Sequence, residues 1–376
     1  MKDPGKKIKV GSDFSGVGAF NQALNRLGVD YEEIFACDRD KYARQTFIHN
    51  YGEPKYYPND VYEREIPTES LDIYMTSPPC QAFSMAGRRL GKEDKRGILF
   101  FNSLEFIQQN KPRFFIFENV KGLLSDDNGK TFQEWINFLG GKSVNGLPVL
   151  FPEEDSVPYH LYWKVLNAKE HGIPQNRERV FLIGIRDDKD NNFRFPVEEY
   201  LNKTMKDILE TNVHDKYFLS EKLIKGFLFK ETKSSWKFEP KDEHEISNCI
   251  PAQYGKMAIT STYIKVKSNN SKGYEIAEIG DGIRLAHPNS ETSRGRISKD
   301  VSHTIDCSGQ EGVFIDTTTG SNDYKIRRLT PRECFRLMDF PDTFDFSVVS
   351  ESQAYKQAGN SIVVNVLFKI LKNLNL

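Results

Sequence analysis

Through the first half of the chain, short apolar, β-prone runs alternate with stretches whose apolar residues recur every three or four positions. The runs Ile8 to Asp13, Glu33 to Cys37, Leu71 to Thr76, Phe114 to Phe117 and Val180 to Ile185 predict strands. Between them, Ala19 to Leu27, Tyr42 to Asn50 and Leu99 to Gln109 have the spacing of crossover helices. That alternation predicts an α/β fold with a doubly wound parallel sheet covered by helices.

The texture changes after about Arg186. A polar stretch from Asp187 to Asn192 reads as a boundary, and the region to about Lys325 is rich in Ser, Thr, Asn, Lys and Gly, with uneven β-like runs such as Tyr263 to Val266. It is expected to form a second, smaller, irregular, mostly-β domain. Two helical segments close the chain, Pro331 to Met338 and Ser361 to Leu374, and the apolar stripe of the latter must pack on another element. The stretch from about Gly140 to Pro158, punctuated by glycine and proline, reads as an inserted loop.

Composition narrows the class without naming it. The 376 residues are 38% hydrophobic and 28% charged, as in soluble globular proteins. At about 100–200 residues per domain the length suggests two domains. The 52 Lys plus Arg nearly balance 53 Asp plus Glu, which excludes holding a polyanion by bulk charge. No apolar run approaches the roughly 20 residues of a membrane span, and Met1 to Lys7 lacks the apolar core expected of a signal peptide. Five cysteines without a C-x-x-C pair signal neither a disulfide framework nor a metal site, so a reducing cytoplasm with a free thiol is the expectation.

Six constellations carry chemistry. Phe14-Ser15-Gly16-Val17-Gly18 follows the first strand and opens a helix, and Asp38 follows the second strand. Together they suggest a cofactor of adenosine type, because glycines admit close backbone approach and an acid can bind a ribose diol. Ser77-Pro78-Pro79-Cys80-Gln81-Ala82-Phe83-Ser84 places a thiol just beyond a strand, on backbone stiffened by two prolines. The basic, glycine-hinged run Gly87 to Gly97, with Arg88, Arg89, Lys92 and Arg96, reads as a lid that grips phosphates or as a solvated loop. Glu118, at the end of the apolar run Phe114 to Phe117, has surroundings that favour its protonated form, which suits proton donation to a ring nitrogen. Arg177 and Arg179 lie two apart on an extended segment and so face one side. Tyr355 to Ser361 leads into the last helix, where Asn360 or Ser361 is placed to cap it or to bind a ligand. Each of these, read alone, also admits a plain structural role.

Taken in order, Phe14-x-Gly16-x-Gly18, Pro78-Pro79-Cys80-Gln81, Glu118-Asn119-Val120, Gln175-x-Arg177-Glu178-Arg179, Arg328-Leu329-Thr330-Pro331-Arg332-Glu333 and Gly359-Asn360-Ser361 resemble the DNA cytosine-5 methyltransferase family. The resemblance covers roughly residues 8–187 and 325–376. It implies a Rossmann-like catalytic domain, 1–187 plus 325–376, that uses S-adenosyl-L-methionine, and a target-recognition domain, 188–324. It implies that Cys80 attacks C6 of a cytosine flipped out of double-stranded DNA, that Glu118 engages N3, that Arg179 sits by the cytosine carbonyl, and that Arg177 supports the catalytic loop and phosphates. Phe14, Ser15, Gly16, Gly18, Asp38, Asp60, Pro79, Asn360 and Ser361 would hold the cofactor, with Asp60 at the adenine edge. Gln81, Ser84, Arg88, Arg89, Lys92 and Arg96 would meet DNA near the flipped base. Arg294-Gly295-Arg296 and Thr304 resemble the family's recognition-loop signature, placing Arg294, Arg296 and Thr304 at DNA.

Departures are mild: Ser12 stands where an acid is common, with Asp13 beside it, and Asp38 is one methylene shorter than the usual Glu. The resemblance further implies a monomer of prokaryotic or phage type, with any cognate restriction endonuclease acting separately. Two alternatives share features: a relative that methylates transfer RNA, and a nicotinamide-dependent oxidoreductase, which leaves Cys80 and Glu118 unexplained. Near-zero net charge and a DNA substrate agree if cations concentrate in the cleft, on Arg88 to Arg96, Arg177, Arg179, Arg294 and Arg296.

Overall fold

The structure is a computed structural model. It describes residues 7–79, 98–186, 188, 192–218, 263–268, 274–278, 281–285, 296–305, 311–316, 324–374 and 376. These divide into two compact units, one comprising residues to Asn202 with Phe335–Leu376, the other Lys203–Ile305 with Gly309–Cys334. Residues 192–202 thus lie with the first unit and 324–334 with the second. No helix among the described residues is long and apolar enough to cross a membrane.

The first unit is built on one eight-stranded sheet. In chain order its elements are β1 (Ile8–Asp13), α1 (Ala19–Leu27), β2 (Tyr31–Cys37), α2 (Lys41–Tyr51), β3 (Ile73–Thr76), α3 (Ile98–Asn110), β4 (Phe114–Val120), α4 (Lys130–Leu139), β5 (Ser143–Val144), β6 (Leu147–Pro148), β7 (Tyr159–Asn167) and β8 (Glu178–Arg186). The strands lie in the order β2-β1-β3-β4-β8-β7-β5-β6. The four strands from β2 to β4 are parallel, as the alternation predicts. The expected all-parallel sheet needs correcting beyond β4: β8 runs antiparallel to β4 and to β7, because only a short 3-10 turn over Ala168–His171 and a few further residues join β7 to β8, with no crossover helix. The inserted stretch after Gly140 is not a plain loop either, since β5 and β6 pair within it and extend the sheet edge.

Aromatic packing fills the face under α3 and α4, where Phe100 stacks on Trp135 at 4.3 Å and Tyr74 on Phe106 at 4.1 Å between ring centroids. The chain continues as α5 (Pro331–Leu337), which begins in the second unit, and then in the first unit as α6 (Glu351–Asn360) and α7 (Val364–Lys372). The apolar stripe of α7 buries Val366, Leu367, Ile370 and Leu371 and packs on α1.

His171 is fully buried with neither ring nitrogen hydrogen-bonded. Burial, and then the nearby Lys369 charge, push its pKa from 6.5 to about 4. Since the native state keeps the ring neutral while the unfolded chain protonates it, this stability is complete above pH 6.5. It is lost as pH falls toward 4, by about 3 kcal/mol in all. Urea unfolding at pH 7.5 and pH 5 is expected to show a smaller acid loss for His171→Phe than for the wild type; equal losses would refute this assignment.

The second unit contains an antiparallel pair, β9 (Tyr263–Lys267) with β10 (Tyr274–Glu278), and a sheet ordered β12 (Ile297–Ser298), β11 (Gly282–Arg284), β13 (Glu311–Asp316), β14 (Tyr324–Arg328). Arg327 and Glu333 form a buried two-pronged ion pair at 2.8 and 2.7 Å, and the Glu333 carboxylate also accepts the Thr330 and Glu210 N–H groups. The Thr-Pro-Arg-Glu motif is therefore a structural fastening, with Glu333 as its hub.

Candidate active site

The site lies within the first unit, at the carboxyl ends of β1 to β4. After β1 the backbone turns through three left-handed residues, Phe14 (φ 57°), Gly16 (φ 55°) and Gly18 (φ 83°). A Cβ at Gly18 would stand 2.3 Å from the Tyr51 ring, so the turn excludes any larger residue there. Asp38, one residue beyond β2, ties this turn to the next. Its carboxylate accepts N–H bonds from Gly16 and from Asp40, both at 2.7 Å. Burial pushes the Asp38 carboxyl up, while those bonds pull it back. Asp40 caps α2 through the Tyr42 N–H at 2.9 Å and is paired with Lys356 of α6 at 2.6 Å.

Past β3 the chain runs through Ser77-Pro78-Pro79. The Asn119 side-chain amide donates to the Pro78 carbonyl at 3.0 Å, and its oxygen accepts the Val120 N–H at 2.8 Å. The strand that carries Glu118 thereby fastens the backbone two residues before Cys80. Cys80, Gln81, Ser84, Arg88, Arg89, Lys92 and Arg96, and in the second unit Arg294, lie outside the described residues.

β4 extends to Val120, so Glu118 sits within a strand rather than beyond one. It faces Phe181 across the ladder, with Arg179 its diagonal neighbour on the same face. Arg179 Nε stands 3.0 Å from Glu118 Oε1. Burial raises the Glu118 pKa, opposed by the charges of Arg179 and Arg177. A carboxyl balanced this way can exist in either protonation state as its surroundings change.

Arg177 is buried, and its Nη2 donates to the carbonyls of Gly359 and Ser361, each at 2.8 Å. It thus clamps the backbone where α6 gives way to α7. Asn360 ends α6 and Ser361 follows as its C-cap, whereas α7 begins after Val363 with no side-chain cap. The expectation that Asn360 or Ser361 caps the final helix is therefore corrected, because a second turn of chain separates the two helices.

These elements enclose a cavity of about 650 Å³. Its walls bring together Phe14, Ser15, Gly16, Asp38, Pro79, Glu118, Arg177, Arg179, Asn360 and Ser361. Two expected cofactor residues are not among them: Gly18 faces Tyr51, and the Asp60 carboxylate accepts the Tyr62 N–H of its own turn at 3.0 Å. Sequence reasoning assigns no cofactor-binding or catalytic role to several other wall residues, among them Ser12, Asp40, Asp126, Lys356 and Gln357. Asp40 had a signal, an acid directly before a helical run, and Lys356 and Gln357 lie in the run Tyr355 to Ser361. In the second unit Thr304 is exposed but Arg296 is 1% exposed. Of the cations expected in the cleft, Arg177 and Arg179 line the cavity, whereas Arg296 is enclosed within the second unit. Among the described residues no cluster of three or more His, Cys, Asp or Glu side chains is suited to a metal.

The sequence model of the C-5 cytosine-specific DNA methylase family matches residues 8–375. The chain belongs to that family. This methylase is 32% identical to the orphan methyltransferase M.SPRI of Bacillus phage SPR, over 98% of this chain and 97% of that one. It is likewise 32% identical to the type II methyltransferase M.Bsp6I of Bacillus sp. (strain RFL6), over 98% of both chains. Among solved structures, a DNMT2 variant from Spodoptera frugiperda superposes with a TM-score of 0.63 at 18% identity, covering 98% of the methylase and 100% of that chain, which is a likeness of fold. Family membership leaves the nicotinamide-dependent oxidoreductase without support.

Proposed function

We propose that this methylase transfers a methyl group from S-adenosyl-L-methionine to C5 of a cytosine flipped out of double-stranded DNA at a specific sequence, as the modification enzyme of a restriction-modification system. The supporting observation is that one cavity receives both the glycine turn with Asp38 and the Glu118–Arg179 pair, so that a nucleoside cofactor and a reacting base would share one enclosure. Two buried wall atoms, Ser12 Oγ and Gln357 Nε2, have no hydrogen-bond partner. Such atoms fit the polar methionine end of this cofactor.

In this reading Phe14, Ser15, Gly16, Asp38, Pro79, Asn360 and Ser361 hold the cofactor, with Gly18 shaping the turn and Asp60 beside the adenine edge. When bound, the cofactor supplies an electrophilic methyl group on a sulfonium. The Cys80 thiolate adds to C6 of the base, and the C5=C6 π electrons shift toward C5 and the ring carbonyl. Glu118 donates a proton or hydrogen bond at N3 and Arg179 neutralises charge at the carbonyl, which makes C5 nucleophilic. C5 takes the methyl group as the methyl–sulfur bond breaks, leaving a neutral thioether; the C5 proton then passes to solvent, N3 returns its proton to Glu118 and the thiolate departs, which restores the ring. Flipping is required because C6 is shielded in the stack. Arg177 acts from behind, holding the α6 wall.

Gln81, Ser84, Arg88, Arg89, Lys92 and Arg96 are assigned to DNA near the base, and Arg294 and Thr304 to recognition; the buried Arg296 is not carried forward. The enzyme acts as a monomer, and any cognate endonuclease is a separate chain. Bisulfite sequencing of DNA from a host expressing the protein is expected to reveal one short motif whose cytosine is protected throughout. Methylation of a transfer RNA with no duplex modified would replace this reading by the RNA one.

A further inference from the structure

Phe14 occupies a backbone state that a bulky residue adopts only where its surroundings over-determine it, with φ at 57°. On its far side the restraint comes from the backbone: Ser15 N–H donates to the Cys37 carbonyl at 3.0 Å and Gly16 N–H to Asp38 at 2.7 Å. On its near side the restraint is a buried charge cluster. Asp13 is 1% exposed, accepts the Tyr74 hydroxyl at 2.6 Å and stands 2.9 Å from Arg64 Nε. The Arg64 guanidinium is itself enclosed, 4.7 Å from the Phe106 ring centroid and 5.8 Å from that of Phe35. Its Nη2 reaches the Asn102 carbonyl of α3 at 3.4 Å.

Two charges and a phenol buried at the end of a central strand add little to stability compared with an apolar filling of the same volume. What they supply is direction. Asp13 is gripped from β3 by Tyr74 and from the segment after Asp60 by Arg64, so the peptide entering Phe14 has one orientation. Hydrophobic packing, which has no directional preference, would leave that peptide free to relax the strained turn.

We infer that Asp13, Arg64 and Tyr74 form a positioning unit for Phe14, locking the residue before it so that its ring stays presented to the adenosine part of the cofactor. The inference rests on the cofactor reading above and deepens it. None of the three is a catalytic residue; they act through Phe14.

A double-mutant cycle on S-adenosylhomocysteine affinity, measured calorimetrically with the full chain, tests this. Tyr74→Phe is expected to weaken binding about tenfold, since Asp13 loses a charge-assisted hydrogen bond. Phe14→Gly removes the ring and accepts the left-handed state without strain. In that background Tyr74→Phe should change affinity by less than about twofold, because its effect passes through the absent ring. Equal weakening in both backgrounds would mean that the cluster merely supports the core, and would overturn the inference. Asp13→Asn provides a second cycle with the same expectation if Tyr74→Phe lowers the melting temperature. If the wild type binds no S-adenosylhomocysteine at all, the cofactor reading fails and this inference with it. Binding by the wild type with additive losses removes this inference alone.

Discussion

Cys80→Ala abolishes methyl transfer to DNA, lowering the single-turnover rate by at least ~10⁴-fold, the scale on which removal of a covalent nucleophile acts. The physical reason lies in the substrate. C5 of cytosine is a poor nucleophile until a group adds at C6, and among the described residues no thiol is placed to do so, Cys37 and Cys334 both being buried. The backbone before Cys80 is fixed by the Asn119 bond to Pro78, so alanine at 80 should leave the cavity and the DNA affinity intact. The measurement is tritium transfer from labelled cofactor to duplex DNA alongside a binding titration. Activity near the wild-type level would eliminate the nucleophile assignment. Duplex containing 5-fluorocytosine should trap the wild type as a denaturation-resistant adduct and leave Cys80→Ala untrapped, because fluorine cannot leave as the C5 proton does.

Glu118→Gln is the second large effect, a loss of about 10²–10⁴-fold in turnover, typical of a positioned general acid. Burial raises the Glu118 pKa against the pull of Arg179 and Arg177. If the protonated form is the active one, the wild-type rate falls as pH rises through that raised value. The Gln variant keeps an N–H donor at every pH, so it should be slow and lack that alkaline limb. Persistence of the limb in the variant would assign the titration to another group. Gln also leaves Arg179 without its charge partner 3.0 Å away, so thermal melting must be recorded to separate lost stability from lost chemistry.

The parallel half of the sheet was legible because strand and helix periods differ and alternate cleanly from Ile8 to Phe117. The antiparallel half was not. β7 carries Tyr159, Leu161 and the mixed run Tyr162 to Lys164, whose alternation is blurred by half-buried positions on both faces. Direction of pairing is decided by the length of the connection, which periodicity does not report. At the site, motifs carried Phe14, Gly16, Asp38, Glu118, Arg179 and Asn360 to one cavity. They left the bonds of Arg177 unspecified, because a guanidinium two residues from Arg179 looks equally fit for phosphate or for carbonyls. Only the third dimension brings Gly359 and Ser361 to it. The burial of Arg296 was equally illegible: a basic residue in a polar stretch gives no sign that the fold encloses it.

The final helices have a consequence for the order of events during synthesis. α7 packs on α1, and α6 supplies Lys356, Gln357 and the Arg177 clamp to a cavity whose other walls are translated first. While a ribosome is still making this chain, the strands of the sheet emerge before the cofactor enclosure has its closing wall. The enclosure is therefore completed only after the segment that carries α6 and α7 has been made.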